Sequence, residues 1–272
     1  MLDHRGTTVE GAKTRRPGFG AALAAEWSRS TTLVQARLAP VVCALVGAAV
    51  AGLFLFTAET TTGGSVSAMS ALDVVTTSML GVDAATFVVV VLVASLVAAE
   101  QSTGLNRVAL LAVPRRGRRL AASALVMAAG GMLCGLAAGL SAFGAGQLVS
   151  ALSDGTTISF TAPGVARIIL GSVVMVPFYG TVTLACTTVA RSLPGGVVGT
   201  LGLFILPTVL AWIPGDSLDG ILRYLPGEAV HAVAGFGAGT DTLHPVTALV
   251  VLAAWVVAFV GAAHLWTRRR SW

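Results

Sequence analysis

Apolar residues in this chain gather into long runs instead of the alternating or one-faced patterns of a water-soluble fold. Runs of spanning length fall at about 38–57, 84–99 with an extension back to Met79, 120–149, 165–190, 197–213 and 245–266. A helix rises ~1.5 Å per residue, so ~20 residues cross the ~30 Å hydrocarbon layer of a bilayer. The pattern predicts an all-α membrane protein with six transmembrane helices. The third and fourth runs exceed that length and have room to tilt or project, whereas the fifth is near the ~17-residue minimum. Pro177 and Pro207 interrupt the fourth and fifth runs, where each removes a backbone hydrogen bond and can kink the helix.

Ahead of the first run, Phe19, Leu23, Trp27, Val34 and Leu38 share one side of a helix, as an interfacial helix leading into a span would. Glu26 and Arg37 fall within or beside that stripe, which keeps a plain extension of the first span as the alternative. Residues 214–244, between the fifth and sixth runs, carry two short apolar patches at 221–225 and 229–236. Neither is long enough to span, so the segment is either a solvated loop or one or two short helices dipping into the leaflet. The expected organisation is an N-terminal segment 1–37, a six-helix domain 38–266 and a basic tail 267–272.

The charges between the runs orient them. Of 17 Lys and Arg residues, Arg5, Lys13, Arg15, Arg16, Arg29, Arg37, Arg107, Arg115, Arg116, Arg118, Arg119, Arg191, Arg268, Arg269 and Arg270 fall on one side, and only Arg167 and Arg223 on the other. Cytoplasmic loops carry the excess of positive charge, so both termini are expected inside. Glu59, Asp73, Asp83, Asp154, Asp216, Asp219, Glu228 and Asp241 sit on the second side. Acids carry little weight in topology and serve here only as agreement.

Composition adds to this picture. The chain is 55% hydrophobic and 11% charged, with a mean hydropathy of +0.86, far from a soluble globular domain. Its net charge of +5 does not imply nucleic acid, because the arginines flank apolar runs, as expected for loops facing anionic lipid. Cys43, Cys134 and Cys186 each lie inside an apolar run without metal-ligand or redox spacing, and read as small packing residues. The polar, basic start through Arg37 places the first apolar run too far in for a cleavable signal peptide.

Gly131, Gly135 and Gly139 form overlapping small-xxx-small repeats in the third run. Such spacing allows close helix packing, within the chain or in a dimer. The apolar runs hold no Asp, Glu, Lys or Arg at their centres, which argues against a proton- or sodium-coupled carrier, since these keep ionisable groups at mid-membrane. No HExxH, GxSxG or GxxxxGK[ST] motif occurs, the four histidines are scattered, and the single lysine is Lys13. The chain therefore has no ATP-binding loop, no catalytic constellation and no cofactor or metal site of its own to suggest.

One loop stands out, "AEQSTGLNRVALLAVPRRGRRLAAS" from Ala99 to Ser123. Glu100 stands at the membrane exit, then come Gly104, an apolar stretch 105–113, and Pro114 followed by four arginines around Gly117. A short helix ended by Pro114 fits, with the basic cluster at the headgroups. An ordinary positive-inside loop fits as well.

Here the residues resemble the permease subunits of type 2 ATP-binding-cassette (ABC) transporters, in particular the actinobacterial kind. Glu100, Gly104, Pro114, Arg115 and Arg116 occupy the places of the acidic residue, the glycine and the Pro-Arg-Arg turn those permeases carry after their second span. Ala25, Glu26 and Trp27 resemble their N-terminal segment, and 223–233 is similar to the stretch before their last span. Thr103, Ser30, Thr31 and Ser123 depart from the usual residues at their positions.

The resemblance implies an exporter in the plasma membrane, built from two permease chains, identical or related, that form the pathway between them. Two separate ATPase subunits would bind ATP and magnesium and dock on the cytoplasmic face. The segment from Glu100 to Pro114 would be the coupling helix, with Glu100 orienting it and Arg107, Arg115 and Arg116 meeting the partner or the headgroups. A non-transporting membrane scaffold or sensor is the alternative, and an ion-coupled carrier the third reading.

Overall fold

The structure is a computed structural model and describes residues 18–58, 60, 65–102, 116–210, 219–235 and 243–269. Among these the protein is all-helical: α1 (Phe19–Thr32), α2 (Val34–Phe56), α3 (Ala71–Ser78), α4 (Leu80–Ser102), α5 (Arg116–Leu152), α6 (Val165–Val173), α7 (Met175–Ala190), α8 (Leu193–Leu210), α9 (Asp219–Leu222), α10 (Pro226–Ala234) and α11 (Pro245–Arg269). Five helical stretches are long and apolar enough to cross a membrane: Val34–Phe56, Ala71–Ser102, Gly117–Leu152, Val165–Ala190 and Pro245–Arg269. The fifth predicted run corresponds to α8, whose apolar stretch Leu193–Leu206 is shorter.

The boundaries follow from local chemistry. Leu33, with ψ at 122°, breaks α1 from α2, and Arg37 in the first turn of α2 donates from Nε to the Thr31 carbonyl at the end of α1. The N-terminal helix is therefore a separate element and not an extension of the first span. The second span starts earlier than its apolar run: Ser70 accepts from the Asp73 N–H at 3.2 Å and donates to the Asp73 carboxylate at 2.6 Å, a cap that opens α3. The fourth run breaks at Val174, one turn before Pro177, because proline has no N–H to offer the carbonyl four residues back. At 37 residues, α5 is ~55 Å long and must project beyond ~30 Å of hydrocarbon.

Helix α7, with α6 ahead of it, is the centre of the bundle. In the Val165–Ala190 stretch 83% of the spanning window is buried, against 17% for α11. Around it stand α4, α5, α8 and α11, and α2 packs on the far side of α4 and α5. Burial of apolar surface does not drive this packing in lipid, where close fit and hydrogen bonds between helices do the work. Val34, Leu45, Phe56, Leu152, Val198 and Val257 are all more than 60% exposed, a surface suited to acyl chains and not to water.

Residues 214–244 hold two helices, α9 and α10, among their described residues. α10 starts with Pro226 and ends at Gly235 in the left-handed region, φ 80°. It packs on α6 and α11, and a Cβ on Gly171 of α6 would lie 2.2 Å from the Ala234 Cα, so only glycine admits this approach. Arg167 donates to the carbonyls of Ala232 at 3.0 Å and Val233 at 3.3 Å. One of the two positive charges on the acid-rich side is thereby explained as a helix cap.

Candidate functional site

Four charged side chains close a ring where α1 meets the last turn of α4 and the first turn of α5. Arg29 Nη2 lies 2.8 Å from Glu26 Oε2, and Arg29 Nη1 donates to Glu100 Oε1. Arg119 completes the ring, with Nε 3.1 Å from Glu26 Oε1 and Nη2 3.2 Å from Glu100 Oε2. Each carboxylate uses one oxygen for each arginine, and each guanidinium bridges both acids, so the formal charges cancel.

The sequence places these groups through simple geometry. In α1, Ala22 and Glu26 are the buried residues, four apart on one face, and α1 lays that face on α5 and α2. The glutamate that interrupts the apolar stripe is therefore turned inward toward Arg119 and not toward water. Glu100 at the C-terminal end of α4 and Arg119 at the N-terminal end of α5 both oppose their helix dipoles. Their mutual pairing offsets that penalty. With side-chain exposures of 9% for Glu26, 12% for Arg119, 18% for Glu100 and 33% for Arg29, the ring is shielded on three corners and open to water at Arg29.

Shielded ion pairs of this kind gain about 4 kcal/mol of Coulomb energy each at an effective dielectric near 20, most of it consumed by desolvation. Their consequence is geometric. The ring fastens α1 to the helix ends that flank the 103–115 segment, with Glu100 three residues before it and Arg119 four after. Gln101 Nε2 also reaches the Thr187 carbonyl at 3.4 Å, joining the same corner to central helix α7.

Of the residues singled out in the loop, Glu100 enters the ring, and Arg116 opens α5. Gly104, Arg107, Pro114 and Arg115, with the expected coupling helix, lie outside the described residues. Gly131, Gly135 and Gly139 face α6 and α7 of the same chain: Cβ atoms there would lie 2.7 Å from Pro177 Cα, 2.8 Å from the Val173 carbonyl oxygen and 3.0 Å from Val173 Cγ2. In the sequence Arg29 and Arg119 read only as topological charges. The signal that could have found them is an acid on the buried face of α1 in need of a partner.

Asp83 lies within the helical Ala71–Ser102 stretch and is half-buried. It stands 19 residues from Ser102 and 12 from Ala71, or ~28 Å and ~18 Å along the helix. Among the described residues no cluster of His, Cys, Asp or Glu could hold a metal ion. No family model, curated protein or solved structure matches this chain.

Proposed function

We propose that this chain is the transmembrane subunit of an ABC transporter, an exporter of the plasma membrane with both termini in the cytoplasm. Two such chains form the pathway, and separate ATPase subunits drive it. The helical stretch Leu193–Leu210 serves as a sixth span, and the segment 103–115 is the surface that the ATPases press.

The observation that carries this reading is the four-charge ring. A segment that receives a push from a partner must transmit it, and a loose loop would absorb it. Here both ends of 103–115 are tied by paired charges to each other and to α1, so displacement of the segment would move α1, α4 and α5 together. The fifteen-to-two split of positive charge supports a cytoplasmic position for this corner, on the side where ATP is.

The test is purification of the solubilised protein from its native host. An ATPase with a phosphate-binding GxxxxGK[ST] loop is expected to co-purify, and Glu100→Ala with Arg107→Ala is expected to lower transport-linked ATP hydrolysis at least tenfold. If no ATPase accompanies the chain, or the double variant hydrolyses ATP at the unaltered rate, the reading fails.

A further inference from the structure

A groove of about 770 Å³ opens between α5, α7 and α11, within the size range of sites that hold small molecules. Its walls are apolar. From α5 it is lined by Leu120 and Leu125 and by Ala121, Ala124 and Ala128, the last three being short side chains that leave space in front of α11. Along α11 it runs from Leu249 to His264, ~22 Å at 1.5 Å per residue, enough to follow an acyl chain through one ~15 Å leaflet.

Thr181 also lines the groove, but its hydroxyl donates to the Pro177 carbonyl at 2.8 Å, and the one polar side chain with an unpartnered atom among the described lining residues stands at one end. The His264 ring lies over Gly117, where a Cβ would come within 2.6 Å of its Cε1. Its Nδ1 is buried and has no hydrogen-bond partner among the described residues. One turn further along the same face of α11 comes Arg268, exposed, with Arg269 beside it. The groove is thus an apolar trough with a basic, hydrogen-bonding rim, complementary to a phospholipid whose headgroup is negative.

We propose that this groove binds one anionic phospholipid, its acyl chain along α11 and its phosphate at His264 and Arg268. The same face would serve a second copy of this chain poorly. A two-fold interface sets like patches against each other, and two basic rims would then oppose. Among the described residues the chain leaves this face open, and α11 is the least buried of the five long apolar stretches. This inference does not depend on the transporter reading.

Native mass spectrometry of the delipidated protein, titrated with phosphatidylglycerol or phosphatidylcholine, tests it. The unaltered chain should retain one phosphatidylglycerol at least tenfold more tightly than phosphatidylcholine. Arg268→Gln with Arg269→Gln should remove that preference, leaving phosphatidylcholine binding as it was. Ala124→Trp, which fills the trough, should displace both lipids, with monodisperse elution showing that each variant folds; Ala253→Leu provides a milder filling from α11. Equal retention of the two lipids, or unchanged lipid binding in both filled variants, would overturn the proposal. So would cysteines at Leu249 and Val257 that cross-link between copies in the membrane.

Discussion

Glu100 and Arg119, 19 residues apart in the chain, meet through a 3.2 Å ion pair that closes the base of the segment between α4 and α5. Each also pairs with a residue of α1, so that one corner of the bundle is held by four charges. Neutralising one corner leaves its two partners with a single counter-charge. Glu100→Gln should therefore cost about 2 kcal/mol, between the ~0–1 kcal/mol of an exposed pair and the ~3–5 kcal/mol of a fully buried one. A double-mutant cycle with Arg119→Gln, followed by thermal unfolding in detergent, should give a coupling of about 1 kcal/mol. Simple additivity would show that the two residues act independently.

Neighbouring glycines of α5 should behave oppositely. A Cβ on Gly131 meets the Pro177 backbone at 2.7 Å, whereas one on Gly130 meets nothing within 4 Å. Gly131→Ala should lower the unfolding temperature by an amount equivalent to about 1–3 kcal/mol, and Gly130→Ala should leave it unchanged or raise it, since alanine favours helix by about 1 kcal/mol. Equal effects at both positions would contradict the packing of α5 on α7.

These two positions also show what a single sequence discloses. The small-xxx-small spacing was visible, but the face it meets was not, because periodicity gives the stripe and not the neighbour. Likewise Glu26 stood out as a flaw in an apolar stripe, and its partner Arg119 lies 93 residues away, beyond any local pattern. The helical spans were legible because lipid demands long apolar runs. Their ends were less so: α3 belongs to the second span through the Ser70–Asp73 cap, a polar feature that hydropathy reads as loop. Arg167 counted as an exception to the charge bias, and only the fold reveals that it caps α10.

That cap makes its own prediction. Arg167→Gln removes donors from the Ala232 and Val233 carbonyls and should cost about 1–2 kcal/mol, felt locally. Amide exchange across 226–234 should accelerate, with little change in α2 or α4. Arg223→Gln, which removes a cation lying 5.1 Å from the Tyr224 ring centroid, should leave exchange in α10 unaltered. Equal exchange in the Arg167 variant and the parent protein would refute the cap.

Coupling of the 103–115 segment to an ATPase is tested by photo-cross-linking in native membranes from a benzophenone side chain placed at position 107, between the two helix ends that the charge ring ties together. An ATP-sensitive adduct with an ATPase bearing a GxxxxGK[ST] loop is expected, diminished when Glu100→Ala loosens the ring. Adducts with lipid alone, or labelling of position 107 from the outer face of intact cells, would contradict it.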